Sequence, residues 1–146
     1  MKSEFRSLRL RQLERTLRPF LEARQNTRPQ KGWIRAIREA SGMTLRELAS
    51  GMKSSLSLAA QFEKSEAEYR ITLNSLRQAA DALGCDLVYA LVPKQGTLYD
   101  LAKRRATEEA TADVLAVEHT MALENQAVGG VKKKIQEEAS RLLKRK

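Results

Sequence analysis

The sequence is poor in the residues that build metal centres, disulfides and catalytic dyads. It contains one cysteine, Cys85, and one histidine, His119, among 146 residues. One cysteine cannot form a disulfide within the chain, and one cysteine with one histidine supplies too few ligands for a zinc site. No glycine-rich phosphate loop and no serine nucleophile motif is present. We therefore predict a protein that is not an enzyme and that needs no cofactor and no metal.

Long apolar runs are also missing. No stretch approaches the length of a transmembrane helix, and the opening MKSEFRSLRL lacks the apolar core and cleavage site of a secretory signal. Together with the single cysteine, this predicts a soluble protein of the reducing cytoplasm with no membrane partner. An apolar content of 42% over this length suits one compact domain with flanking helices.

Positive charge is concentrated at the two ends of the chain. The net charge of +9 divides into +8 for residues 1–38, −4 for 39–128 and +5 for 129–146. Basic ends attract a polyanion, because phosphate neutralisation supplies most of the nonspecific affinity for nucleic acid. Charged helices that only keep the protein soluble are the alternative explanation.

The pattern of apolar residues and helix breakers predicts four regions. Residues 1–28 form a basic N-terminal helix or arm, which Pro19 kinks or breaks. Residues 29–84 hold a run of short helices, 85–93 contain a β-strand, and 97–146 form a C-terminal helical region. The fold is thus expected to be mainly α, with one strand.

The helices of residues 29–84 carry clear end signals. Trp33 and Ile34 are expected to face the core in the first helix. Thr44 and Glu47 have the capping-box spacing, Ser54 or Ser55 caps the next helix, and Thr72 caps the last. Glycine follows the first and last of these helices at positions 42 and 84.

The segment CDLVYALVP changes character, because β-branched and aromatic residues replace helix formers until Pro93. Residues 86–92 are therefore predicted to form a strand. A lone strand leaves its main-chain donors and acceptors unpaired, so it must pair with a strand of another chain. This predicts a homodimer held together by residues 85–93.

The stretch LRELASGMKSSLSLAAQF has the pattern of two helices that meet at a sharp turn. Ala49 is small enough for their close contact, and apolar residues on both sides lock the pair. The spacing resembles the helix-turn-helix of the lambda-repressor and Cro-like regulators, whose second helix enters the major groove of DNA. These regulators usually have glycine where this chain has Lys53. Either Lys53 adopts a left-handed backbone, at a cost of roughly 1 kcal/mol, or the turn is shifted.

The second helix of this motif has few strong base readers. Ser55 and Ser57 can contact phosphates or bases, Gln61 can pair with adenine, and Leu56 or Leu58 can pack on a thymine methyl. Affinity must then depend on phosphate contacts by basic residues, including the N-terminal arm, and on dimerisation. We expect a palindromic, A/T-rich operator in double-stranded DNA. The predicted DNA-binding residues are Thr44, Arg46, Lys53, Ser55, Leu56, Ser57, Leu58, Gln61 and Lys64.

Two longer segments, RPQKGWIRAIREASGMTLRELA and FEKSEAEYRITLNSLRQAADALGCDLVYALVP, resemble the mobile mystery protein A family. Members are helix-turn-helix proteins of bacterial mobile elements, and their partner has a Fic domain, an enzyme class that transfers AMP from ATP to proteins. The resemblance implies an antitoxin-like, nucleoid-associated bacterial regulator. Such a protein represses its own operon and restrains the Fic protein through residues 97–146.

The segment HTMALENQ fits the inhibitory helix that restrains Fic enzymes. Thr120 and Glu124 lie four residues apart and share a helix face, and Asn125 completes the pattern. The resemblance implies that Glu124 pairs with a Fic arginine that would otherwise bind ATP phosphate. An ordinary solvated helix face is the alternative interpretation of these three residues. The alternative function is a stand-alone, phage-type repressor whose C-terminal region only oligomerises.

Overall fold

The structure is a computed structural model and describes residues 2–123 and 130–145 of the chain. These residues form seven α-helices and no strand. The helices are α1 (Lys2–Ala23), α2 (Trp33–Ala40), α3 (Leu45–Gly51), α4 (Leu56–Ala67), α5 (Leu73–Ala82), α6 (Leu98–Leu123) and α7 (Val131–Arg145). None of the helices in the described ranges is long and apolar enough to cross a membrane.

The helices belong to two compact units. One unit, Gln25–Tyr89, contains α2 to α5 and is called the helix-turn-helix unit below. The other, called the helical unit, combines Met1–Arg24 with Ala90–Lys146 and contains α1, α6 and α7. The mainly α class predicted from the sequence is confirmed.

Small residues allow close packing in the helical unit. Ala106 and Ala110 lie one turn apart on α6 and are buried against Ala139 and Leu142 of α7. The helix α1 joins this pair through Arg6, whose guanidinium donates hydrogen bonds to the carbonyls of Leu142 and Leu143 at 3.1 and 3.3 Å. It continues without a break through Pro19, so the predicted break is absent.

The helix-turn-helix unit has a compact apolar core. Its buried members come from all four helices: Ile34, Leu48, Ala49, Met52, Ala59 and Ala79. Ile34 faces inward as predicted, whereas Trp33 keeps half of its surface exposed. The predicted caps are present: Thr44 and Glu47 form a complete capping box, Ser55 caps α4, and Thr72 caps α5.

The predicted strand is not formed. Residues 85–93 have no regular secondary structure. No hydrogen bond joins the main chain of 86–92 to another main-chain group in the described part of the protein. A strand is stable only when its main-chain donors and acceptors pair with a neighbouring strand, and no second extended segment lies beside residues 86–92 in the described residues. Val88, Tyr89 and Leu91 are consequently 67%, 60% and 90% exposed.

Candidate nucleic-acid interface

A turn of four residues, 52–55, separates α3 from α4. The helix α3 ends at Gly51, and two hydrogen bonds close its last turn: Lys53 N–H donates to the Ser50 carbonyl at 3.0 Å, and Ser54 N–H donates to the Ala49 carbonyl at 2.9 Å. This pair of bonds defines the Schellman ending, which requires a left-handed residue after the C-cap. Lys53 is that residue, with φ 52°. Of the two sequence-based alternatives for this turn, the left-handed lysine is therefore the one observed.

Replacing Lys53 with glycine is expected to stabilise the helix-turn-helix unit by about 1 kcal/mol, because glycine adopts positive φ without the clash of a Cβ atom. Urea unfolding followed by Trp33 fluorescence measures this, since Trp33 is the single tryptophan and lies in this unit. Lys53→Ala removes the same charge but keeps Cβ, so it serves as the control and should bring no gain. An equal gain in both variants would point to charge and would contradict backbone strain.

The helix α4 has a buried side and an exposed side. Its buried side chains, Ala59, Glu63 and Glu66, recur at spacings of four and three. Ser57, Gln61 and Lys64 repeat the same spacing on the opposite side, and all three are exposed. Leu56 and Leu58 near the start of α4 are 48% and 38% exposed. All nine predicted DNA-binding residues are exposed, so each is accessible to a ligand.

Two of the predicted contact residues are already used as helix caps. The hydroxyl of Thr44 donates to the Glu47 carboxylate at 2.8 Å and accepts from the Glu47 N–H at 3.2 Å. The hydrogen bond from the Thr44 main-chain N–H lowers the pKa of the Glu47 carboxyl, and the hydrogen bond from the Thr44 hydroxyl lowers it further. Ser55 accepts from the Leu58 N–H at 3.1 Å, and its own proton remains free to donate. Thr44 therefore fixes the start of α3, whereas Ser55 can cap α4 and also donate a hydrogen bond to a ligand.

The nine cations of this unit differ in whether they form an ion pair and in where they lie, and six of them bear on the interface. Arg35, Arg38 and Arg70 each pair with a glutamate. Arg46, Lys53 and Lys64 are exposed and form no ion pair with any residue that the structure describes. These three cations lie on α3, the turn and α4. Their charge remains available to an anionic ligand.

Glu66 ties α4 to α2 and was not among the predicted site residues. Gly32 precedes α2 and supplies no side-chain cap. The buried Glu66 carboxylate instead accepts hydrogen bonds from Trp33 N–H at 2.7 Å and Ile34 N–H at 2.8 Å. A Cβ atom at Gly32 would lie 2.7 Å from the Glu66 Oε2 atom, so glycine leaves room for this contact. Glu66 therefore holds α4 in place from beneath its exposed face.

Glu63 makes a second link to α2, one turn before Glu66. Its carboxylate accepts from Arg38 Nε at 2.5 Å and from Arg38 Nη2 at 3.3 Å, and both side chains keep only about a tenth of their surface. The hydrogen bond from Glu63 raises the pKa of Arg38, against an opposing effect of burial. The Arg38 Nη1 atom also donates to the Met43 carbonyl at 3.1 Å. This bidentate pair fixes α4 against the end of α2.

Arg28 supports the other end of α4. Its guanidinium donates to the carbonyls of Glu66 and Ala67 at 2.7 and 3.1 Å. It also lies 3.8 Å from the ring centroid of Tyr69, which has φ 59° in the left-handed region. Main-chain carbonyls at a helix C-terminus and an aromatic face both attract a cation. Arg28 thus helps to hold the strained residue that ends α4.

The predicted Fic-inhibitory residues are described only in part. Thr120 lies exposed on α6, and its hydroxyl donates to the Ala116 carbonyl at 3.0 Å. Glu124 and Asn125 lie outside the residues that the structure describes.

Comparison with known proteins identifies the helix-turn-helix unit. Residues 34–89 match the family model described as helix-turn-helix, so this stretch is a lambda-repressor and Cro-like domain. Such a domain indicates a DNA-binding transcription regulator, and the family is not typically enzymatic. No curated protein and no solved structure matches the chain. The match concerns the domain alone, and the Fic partner stays a prediction.

Proposed function

We propose that this protein is a transcription repressor that binds a palindromic, A/T-rich operator with the exposed side of α4. The observation that carries the proposal is the group of three unpaired cations, Arg46, Lys53 and Lys64, on the two helices and the turn of this domain. An exposed cation without an acidic partner can neutralise a phosphate without first breaking an ion pair.

Base recognition would come from the polar and apolar residues of α4. Gln61 is exposed and can make two hydrogen bonds to adenine, and the exposed Leu56 and Leu58 can contact thymine methyl groups. None of these residues has the geometry of an arginine on guanine, which is the commonest strong base contact. The interface therefore favours A·T pairs and depends on phosphate contacts for most of its affinity.

Salt dependence of DNA binding tests this interface. The full chain is titrated onto a mixed-sequence duplex by fluorescence anisotropy over a range of KCl concentrations. The variant Arg46→Gln/Lys53→Gln/Lys64→Gln should flatten the plot of log K against log[salt] by about 2.7, at roughly 0.9 for each lost phosphate contact. The affinity of this variant for the duplex should also be lower than that of the wild-type chain.

A control variant with the same loss of charge makes the test specific. Lys31→Gln/Arg35→Gln/Arg70→Gln removes three cations of the same unit that lie outside α3, the turn and α4. It should change the slope by less than about 1. Equal effects of the two variants would assign binding to overall charge and would reject this site.

A second copy of the chain is the proposed partner of residues 86–92. Val88, Tyr89 and Leu91 expose more than half of their surface, and the main chain around them lacks main-chain partners in the described residues. Apolar side chains beside unpaired main-chain groups favour association of two chains. Sedimentation equilibrium should show a dimer that Val88→Asp/Leu91→Asp converts to a monomer. Leu115→Asp, at a residue 53% exposed on α6, should leave the dimer intact, and dissociation by both variants would contradict this interface.

The antitoxin role rests on the sequence resemblance and on the exposure of Thr120. In this proposal Glu124 occupies an arginine of a partner Fic enzyme and thereby prevents productive binding of ATP. AMP transfer by the Fic protein should be inhibited by the wild-type chain and restored with Glu124→Gly. His119→Gly changes a neighbouring residue outside the motif and should still inhibit. Equal inhibition by wild-type and Glu124→Gly would reject this mechanism.

A further inference from the structure

The excess of positive charge lies in the helical unit. The helix-turn-helix unit contains nine basic and seven acidic residues, for a net charge of +2. The helical unit contains eighteen basic and eleven acidic residues, for a net charge of +7. The part of the chain that matches a DNA-binding domain is thus the less basic part. The DNA-binding domain therefore does not account for the net charge of +7 on the helical unit.

Part of this charge is ordered along one face of α1. The half-buried residues of α1 include Arg6, Leu10 and Leu17, and the packing of Arg6 on α7 marks this face as the inner one. Arg11, Arg15 and Arg18 follow each other at spacings of four and three on a solvent-facing side of the helix, and all three are exposed. At about 1.5 Å of rise per residue, the Cα atoms of Arg15 and Arg18 lie roughly 6 and 10.5 Å along the helix axis from the Cα atom of Arg11. We call these three residues the arginine stripe.

The arginine stripe is not neutralised by the acidic residues of its own helix. Glu14 and Glu22 each lie four positions from Arg18, a spacing at which ion pairs form on helices. Among the ion pairs of the described residues, none involves Arg11, Arg15 or Arg18. The same spacing does produce a pair between Arg35 and Glu39 on α2. The stripe therefore presents three neighbouring guanidinium groups that form no salt bridge among the described residues, on a helix whose inner face is packed.

We propose that the arginine stripe of α1 is a second DNA-binding surface, which contacts the phosphate backbone of duplex DNA without reading its sequence. Guanidinium groups bind phosphate in a bidentate manner, and a packed helix keeps them in a fixed row. The proposal rests on the DNA-binding function argued above. Because one chain carries both surfaces, binding through one raises the effective concentration of the other at the same duplex. Phosphate contacts by the arginine stripe would add affinity to the weak base contacts made by α4.

The test compares three full-length variants on one mixed-sequence duplex. Arg11→Gln/Arg15→Gln/Arg18→Gln should flatten the slope of log K against log[salt] by about 2.7, as expected for three lost phosphate contacts. Glutamine has a helix propensity close to that of arginine, and circular dichroism should show unchanged helix content. The control Lys103→Gln/Lys133→Gln/Lys144→Gln removes three exposed cations of the same unit and should change the slope by less than about 1.

The possible outcomes separate this inference from the proposed function. An unchanged slope in the stripe variant, with loss of binding in the Arg46/Lys53/Lys64 variant, overturns the inference and leaves the proposed function intact. Equal flattening by the stripe variant and its control also overturns it, because net charge alone then explains the effect. Loss of duplex RNA binding with DNA binding retained assigns the stripe to RNA and overturns it as well. Absence of any duplex DNA binding by the wild-type chain would reject the proposed function itself.

Discussion

Glu66→Ala is expected to destabilise the helix-turn-helix unit by about 3 kcal/mol or more, because each hydrogen bond to a charged group contributes roughly 1.5–3 kcal/mol. The substitution removes the acceptor of both Trp33 N–H and Ile34 N–H, and Ile34 is 1% exposed. Water cannot readily replace the carboxylate at a donor so deeply buried. The favourable placement of a negative charge at the start of α2 is lost as well.

Trp33 provides a direct measurement of this effect. It is the single tryptophan, its main-chain N–H donates to Glu66, and it lies in the helix-turn-helix unit. Urea unfolding followed by its fluorescence should show a markedly lower midpoint for Glu66→Ala. Glu66→Gln keeps one acceptor oxygen and should lose about half as much, since one of the two N–H groups regains a neutral partner.

Glu68→Ala is the matched control, two residues away on the surface. Glu68 is exposed and pairs with Arg70, also exposed. Surface ion pairs contribute about 0–1 kcal/mol, so this variant should unfold close to the wild-type midpoint. Similar losses for Glu66→Ala and Glu68→Ala would show that Glu66 does not cap α2 in solution.

The elements with local signals could be predicted from the sequence. Capping depends on residues three apart, so Thr44 with Glu47 and the caps at Ser55 and Thr72 are visible in the sequence and present in the structure. The helical corner follows from the same kind of local pattern. The left-handed Lys53 could be stated as one of two alternatives, because the chain has no glycine at that position.

The displaced glycine has an explanation that only the packing reveals. Gly51 lies within α3, and a Cβ atom there would be 3.2 Å from the Cβ atom of Ala82 in α5. This is closer than ordinary van der Waals contact, so a side chain at this position would require Ala82 to shift by a few tenths of an ångström. Glycine is thus placed where α3 approaches α5, and the turn itself uses Lys53. Sequence spacing alone does not distinguish these two uses of glycine.

The features that escaped prediction depend on contacts between distant residues. Glu63 and Glu66 share the buried side of α4 with Ala59, and acidic residues at core positions are a signal of buried partners. Periodicity cannot name those partners, because Arg38 and the start of α2 lie 25 or more residues earlier. The prediction of a strand was wrong for a related reason. Local β propensity in residues 86–92 was sufficient to predict a strand, but no partner strand is present in the described residues.

Arg38 and Glu63 form the second link between α2 and α4, and a double-mutant cycle is expected to show strong coupling between them. Glu63→Ala should destabilise the helix-turn-helix unit by about 3 kcal/mol, because it leaves the buried guanidinium of Arg38 with only the half-exposed carboxylate of Glu39, 3.8 Å away, as a counter-charge. Both side chains are about nine-tenths buried in this pair, so solvent screens it weakly. Urea unfolding followed by Trp33 fluorescence again gives the measurement.

The double variant Arg38→Met/Glu63→Leu should cost less than Glu63→Ala alone, although it removes more polar contacts. Apolar side chains of similar length leave no buried charge, and replacement of a buried pair by apolar residues is often close to neutral. Some loss remains, because Arg38 also donates to the Met43 carbonyl. If the pair mainly orients α4, the double variant should stay folded while its DNA affinity falls. Additive losses for the single variants Arg38→Met and Glu63→Leu would instead mean that the two residues act independently.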